Sequence, residues 1–265
     1  MIKVIVDGAC GRMGRMLTSL VTRQPDMELV GATEYPAHPK IGIDVGEVAG
    51  IGSIGIKIVE DLTDVINYGD VVIEFTSPEA TISNFKKVVD AGKSMVIGTT
   101  GCTIDQLAEI RLLAEHVPCL MSPNMSVGVN VMLKAIELVA KALGDEYDVE
   151  VIEAHHNQKA DSPSGTAVRI ADVLATALDR DINQVGVYGR EGIVGARPEK
   201  EIGIHAIRGG DIVGDHTVLF AGIGERVEVS HRAQSRESFA SGAVRAARWI
   251  INAPKGLHDI SEVLF

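Results

Sequence analysis

Ile2-Lys3-Val4-Ile5-Val6-Asp7-Gly8-Ala9-Cys10-Gly11-Arg12-Met13-Gly14 is the stretch that decides the fold. Ile2–Val6 is a short apolar run that ends on a glycine-spaced turn, and a helical stripe of Met13, Met16, Leu17 and Leu20 follows at once. In such a strand–turn–helix one glycine allows the sharp turn, one lets backbone amides approach a pyrophosphate, and one lets helix and strand pack closely. The helix start offers oriented N–H groups to an anion, and Arg12 can add a direct phosphate contact. The spacing is G-x-x-G-x-x-G and not the commoner G-x-G-x-x-G, so alone it also suits a plain tight turn. A second β run over Glu28–Thr33 leads to Glu34, twenty residues beyond Gly14, where an acidic residue accepts hydrogen bonds from an adenosine ribose. Strand, turn, helix and strand in this order read as a dinucleotide site. Tyr35 and not arginine follows Glu34, which favours NADH over NADPH; Arg12, His38 and Lys40 are the remaining candidates to meet a 2′-phosphate.

Working outward, Asp70–Phe75 and Ser94–Ile97 are further Val- and Ile-rich runs, separated by a helical stripe of Ile82, Phe85, Val88 and Val89. Strands alternating with helices predict right-handed βαβ units and a parallel sheet covered on both faces. Ligands of such sheets lie beyond the strand C-terminal ends, so Gly98-Thr99-Thr100-Gly101 is expected to line the nicotinamide side. Thr76-Ser77-Pro78 holds the equivalent place after Asp70–Phe75, where helix capping serves equally well. The character changes at Met121-Ser122-Pro123-Asn124-Met125, which leads into a helix bearing Val129, Met132, Ile136, Val139 and Leu143 and stopped by Gly144. Period-two alternation follows at Ile202, Ile204 and Ala206 and at Val227, Val229 and His231, with Asp211–Ala221 between, predicting an antiparallel or mixed sheet with one open face. Glu237–Ile251 reads as a last helix; Pro36–Pro39 and Gly186–Pro198 read as mobile loops. The fold class is therefore α/β.

Composition excludes several functions. A net charge of −11 argues against a nucleic-acid surface. No apolar run approaches the ~20 residues that span a bilayer, and the chain opens directly on its first strand, so a soluble cytoplasmic protein is expected. Cys10, Cys102 and Cys119 are three thiols without Cys-x-x-Cys spacing, which fits a reducing compartment and gives no support to a disulfide framework or a zinc site. No nucleoside-triphosphate loop, H-E-x-x-H or G-x-S-x-G elbow is present.

The densest chemistry lies in Glu153-Ala154-His155-His156-Asn157-Gln158-Lys159-Ala160-Asp161-Ser162-Pro163-Ser164-Gly165-Thr166-Ala167, between a β run (Asp148–Ile152) and a helix bearing Ile170, Leu174 and Leu178. Two histidines and a lysine supply proton donors and positive charge, and Ser164-Gly165-Thr166 sets hydroxyls and free amides at a helix start, a ready carboxylate site. No acid or thiol stands at metal-ligand spacing beside the histidines, so no metal is expected. His116 and His258 lack such company and are expected at the surface; His205, His216 and His231 lie on or beside strands as core or pocket groups. Hydride transfer coupled to proton transfer is the reaction class left.

These motifs resemble the 4-hydroxy-tetrahydrodipicolinate reductase (dihydrodipicolinate reductase) family of lysine and diaminopimelate biosynthesis. The E-x-H-H-x-x-K-x-D-x-P-S-G-T-A string is its most specific signature here, and the similarity extends through Arg208-Gly209-Gly210-Asp211 to Trp249. The resemblance implies a Rossmann-type domain of residues 1–125 plus 237–265, and a central α+β substrate domain, 126–236, on an open mixed sheet that builds a homotetramer. It implies His155 as catalytic histidine and Lys159 as proton donor, with His156, Gly165 and Thr166 binding a small cyclic dicarboxylate. Gly8, Ala9, Cys10, Gly11, Arg12, Met13, Glu34, Gly98, Thr99, Thr100, Ser122, Pro123, Asn124 and Met125 match its cofactor contacts. Arg236 is a further candidate anion contact, with a hinge-surface charge as the other reading. An aspartate- or homoserine-type dehydrogenase would leave the paired histidines and Lys159 unexplained, and a non-catalytic NADH sensor would leave the proton donors idle.

Overall fold

In the computed structural model, which describes residues 1–265, the opening run forms strand β1 (Ile2–Asp7) and the glycine turn delivers helix α1 (Arg12–Val21). Then follow β2 (Met27–Thr33), α2 (Val45–Ala49), β3 (Ile58–Val59), β4 (Val71–Glu74), α3 (Pro78–Asp90), β5 (Ser94–Ile97), α4 (Ile104–Ala114) and β6 (Pro118–Met121). Capping sets the helix starts: Ser77 caps α3 with Pro78 in its first turn, and Thr103 and Gln106 form a capping box on α4. The next elements are α5 (Val127–Leu143), β7 (Asp148–His155), α6 (Gly165–Ala177), α7 (Ile182–Val185), β8 (Gly186–Tyr188), β9 (Ile202–Arg208), β10 (Gly214–Ala221) and β11 (Arg226–Ala233). The chain ends with α8 (Glu237–Ile250), β12 (Gly256–His258) and α9 (Ile260–Leu264).

Two units result, one of Met1–Val127 with Glu237–Phe265, the other of Gly128–Arg236. The first holds a seven-stranded parallel sheet ordered β12-β6-β5-β4-β1-β2-β3. Its strands are apolar on both faces because one face packs under α1 and α8 (Leu17, Ala243, Ala247) and the other under α3 and α4 (Phe85, Val88, Ile110). The second holds a mixed five-stranded sheet ordered β11-β10-β7-β9-β8, one face of which packs on α5 and α6 through Met132, Ile136, Ile170 and Leu174.

Two expectations fail. Gly186–Pro198 is not simply a mobile loop: Gly186–Tyr188 pairs parallel to β9, and the residues beyond are tied down by charge. Arg197 binds Asp148, Glu150 and the carbonyls of Val149 and Glu201, while Arg190 binds Glu150 and Glu201. All of those partners but Glu201 lie on β7, some forty or more residues away, so the polar composition gave no sign of them. His258 is buried, not at the surface: its ring contacts Glu262 and the Pro254 carbonyl and packs edge-on against Trp249.

Candidate active site

The first unit has a cavity of about 580 Å³ at the C-terminal edge of its sheet, lined by Gly8, Cys10, Gly11 and Glu34 together with Asp7, Thr33, Thr76 and Asn84. Gly8 has φ +78°, and a Cβ there would stand 2.6 Å from the Phe75 carbonyl oxygen. A Cβ on Gly14 would lie 2.1 Å from the Gly8 oxygen, so glycine is what lets α1 approach β1. Gly11 stands at the N-cap of α1 without any side-chain cap, and no acidic residue lies in the first turn. The first amides of α1 thus keep their capacity for an anion, with Arg12 exposed beside them. Glu34 is held by the amides of Cys10 (2.9 Å) and Tyr35 (3.1 Å). A turn stripped of side chains, a bare helix start and a carboxylate one strand away fit a dinucleotide's pyrophosphate and ribose. Ala9 is fully buried and Met13 packs against the core, so their side chains serve packing.

Residues 98–100 and 122–125 follow β5 and β6 along the same sheet edge. Thr99 is buried and turns its hydroxyl to Glu74 (2.7 Å) while accepting the Thr76 amide; Thr100 is exposed. Ser122 gives its hydroxyl to the Asn124 carbonyl, Met125 is buried, and Pro123 is exposed. Sequence reasoning missed Asp7 and Glu74, buried carboxylates in register on β1 and β4. Burial pushes Glu74 up to about 7, against hydrogen bonds from Thr76, Thr99 and Thr81 that act to lower it. It also missed a meeting of the Cys10 thiol, Glu34 and His38, whose ligand atoms lie within 4.8 Å of one another. Sequence separation hid that cluster.

In the second unit, alternation along β7 sends Val149, Val151, Glu153 and His155 to the covered face, and β10 sends Gly214, His216, Val218 and Phe220 there. The face is apolar at one end and polar at the other. Register sets His216 opposite Glu153 and His155 beside Arg208. Glu153 is fully buried and accepts four hydrogen bonds: two from Arg208 (both 2.8 Å), one from His155 Nδ1 (2.6 Å) and one from the Ser164 amide (3.0 Å). Burial would raise this carboxyl, but those donors outweigh it and hold it below the usual range. His216 packs edge-on against His155, its ring 3.2 Å from Ser164 Oγ; burial, then His155, pull it down to about 4, so it stays neutral near pH 7.

Ser164 caps α6 by accepting the Ala167 amide, with Gly165 exposed and Thr166 half-buried in the first turn. Lys159 lies on the intervening loop, paired with Asp161 at 2.8 Å, and Arg208 binds the Asp161 carbonyl. His156 is half-buried, its amide bonded to the Ile212 carbonyl. Arg236 is half-buried in the turn after β11. Glu153, Arg208 and His216 are the residues that sequence reasoning did not assign. A carboxylate at an inward position of an alternating strand is the signal that marks Glu153.

A Rossmann-type sheet with a cofactor turn, joined to a unit rich in proton donors, defines an NAD(P)H-dependent oxidoreductase. Residues 2–125 match the family model described as dihydrodipicolinate reductase, N-terminus, and residues 128–264 match its C-terminus counterpart. The chain belongs to the dihydrodipicolinate reductase family. It is 49% identical over 264 residues to the 4-hydroxy-tetrahydrodipicolinate reductase of Syntrophus aciditrophicus, covering 100% of this chain and 98% of the relative. To that of Trichlorobacter lovleyi it is 51% identical over 265 residues, covering 100% and 99%. Among solved structures, a dipicolinate-bound dihydrodipicolinate reductase from Paenisporosarcina sp. TG-14 superposes with TM-score 0.78 at 28% identity, over 98% of this chain and 97% of that one.

Proposed function

We propose that this protein reduces 4-hydroxy-tetrahydrodipicolinate to tetrahydrodipicolinate with NADH in preference to NADPH, a step of lysine and diaminopimelate biosynthesis in the cytoplasm. The observation that carries this reading is the polar end of the second sheet, where His155, the Lys159 loop and the start of α6 converge through Glu153, in a chain matched to the family over both halves. A bound nicotinamide supplies hydride to ring carbon C4 once the substrate has lost its hydroxyl as water. Lys159 donates the proton that quenches the resulting electron density, and His155 assists by exchanging protons. His156, Ser164 and the amides at Gly165 and Thr166 hold a substrate carboxylate, with Arg236 as a further cationic contact.

The first unit binds the cofactor: Gly8–Met13 take the pyrophosphate, Glu34 the ribose, and residues 98–100 and 122–125 the nicotinamide half. Acidity around the cavity supports NADH. Glu34, Glu60 and Asp61 all line it, and the nearby Lys87 is occupied by Asp61 at 3.0 Å, which leaves a 2′-phosphate poorly matched. A homotetramer is part of the reading, supported by the exposed Ile207, Ile223 and Val227 of the second unit. No helix is long and apolar enough to cross a membrane. The test is a coupled assay in which a synthase generates the substrate and either cofactor is followed by absorbance. Oxidation of NADH is expected; oxidation of neither cofactor overturns the reading.

A further inference from the structure

We propose that Glu153 is a positioning residue that fixes the His155 imidazole with its proton on Nδ1, leaving Nε2 as the nitrogen that exchanges protons at the active site. The kinetic part of this inference rests on the reductase reading above; the tautomer does not. Glu153 is fully buried on β7, two residues before His155 and on the same face of the strand. Its Oε2 lies 2.6 Å from His155 Nδ1. Arg208 grips the carboxylate with both terminal nitrogens, and the Ser164 amide takes a further lone pair on Oε1. All four bonds therefore come from nitrogens, which is the environment of an ionised carboxylate that can only accept. Against such a partner, Nδ1 of His155 must be the donor.

The neighbours complete the arrangement. His216 packs edge-on with the ring and stays neutral near pH 7, so it brings no charge beside it. Both terminal nitrogens of Arg208 are engaged: besides Glu153 they bind the carbonyls of Ile207 and Asp161, so its charge serves the carboxylate and the Lys159 loop. A carboxylate held against Nδ1 by this set of donors prevents the ring from flipping and leaves Nε2 as the nitrogen free of it. The device costs no substrate contact, which is why the active-site string alone does not assign it.

The inference is tested in two ways. In wild-type protein with 15N-labelled histidine, with the His155 signals identified by their loss in His155→Asn, the imidazole shifts are expected to report the Nδ1–H tautomer. A neutral His155 protonated on Nε2 overturns the proposal whether or not the protein shows reductase activity. In the second test, Glu153→Gln is expected to lower kcat on the order of 10²-fold and to leave KM for NADH within about twofold. In a His155→Asn background the same substitution should cost little more, because its effect runs through the imidazole. Equal losses in both backgrounds, or a KM for NADH that rises as kcat falls, mean a merely structural role and overturn the proposal. If Glu153→Gln does not fold, the wild-type tautomer decides alone.

Discussion

Gly214 on β10 lies against His155 on β7, so close that a Cβ at position 214 would stand 3.0 Å from the imidazole Nε2. The backbone at 214 is extended and tolerates any residue; what it lacks is space. Gly214→Ala should therefore fold with a melting temperature near that of the wild type, yet push the ring by a few tenths of an ångström. For the proton-exchanging role proposed for His155 such a displacement is costly, and a fall in kcat of about tenfold is expected. Melting curves and steady-state kinetics on one preparation check both halves of the prediction.

Lys159 is held by Asp161 on the loop that Arg208 fastens, outside the cofactor unit. Lys159→Ala should reduce kcat by about 10²- to 10³-fold while NADH affinity, followed by titration, stays unchanged. An unaffected kcat removes the lysine from the proton transfer.

Glu34 accepts backbone amides beside the cavity of the first unit, and no arginine follows it at position 35. Glu34→Gln should raise KM for NADH by about tenfold, through loss of charge-assisted bonds to ribose hydroxyls, and spare NADPH. The ratio of kcat/KM for the two cofactors should then narrow. A ratio that does not move assigns cofactor choice elsewhere.

Glu74 offers a pH-dependent test of stability. Its ordinary value is 4.5, and burial raises it to about 7 in the folded protein. Below pH 4.5 the group is protonated in folded and unfolded chains alike and stability is unaffected. As pH climbs through the interval to 7, the unfolded chain releases the proton and the folded one retains it, so stability falls; above pH 7 the loss is complete, at about 3 kcal/mol. Glu74→Gln should melt above the wild type at pH 8 and lose that advantage near pH 4.5. Paired thermal melts at the two pH values measure it.

Much of this architecture was legible because it depends on periodicity and local chemistry. The apolar run before Gly8, the spacing to Gly14 and the position of Glu34 announce a parallel sheet with its cofactor turn, since each reflects a constraint within one strand–turn–helix. The string from Glu153 to Ala167 likewise shows the proton donors and the helix start together, because they are contiguous. Other features depend on partners brought in from a distance. The burial of His258 is invisible in the sequence because Trp249, Pro254 and Glu262 meet it only once β12 and α9 fold around it. The ion pairs of Arg190 and Arg197 are equally invisible in the sequence because their acidic partners lie mainly on β7.

The amino-acid order by itself determined the α/β class, the dinucleotide turn and the identity of the residues able to move protons, all set by short-range sterics and side-chain chemistry. Tertiary structure alone decided which nitrogen of His155 meets Glu153, why Gly214 is small, and that Glu74 holds its proton near neutrality. Those properties belong to contacts across strands: pairing β10 and β9 against β7 brings His216, Gly214 and Arg208 to the Glu153–His155 end, and burial there and at Glu74 turns ordinary side chains into groups with a defined charge and orientation.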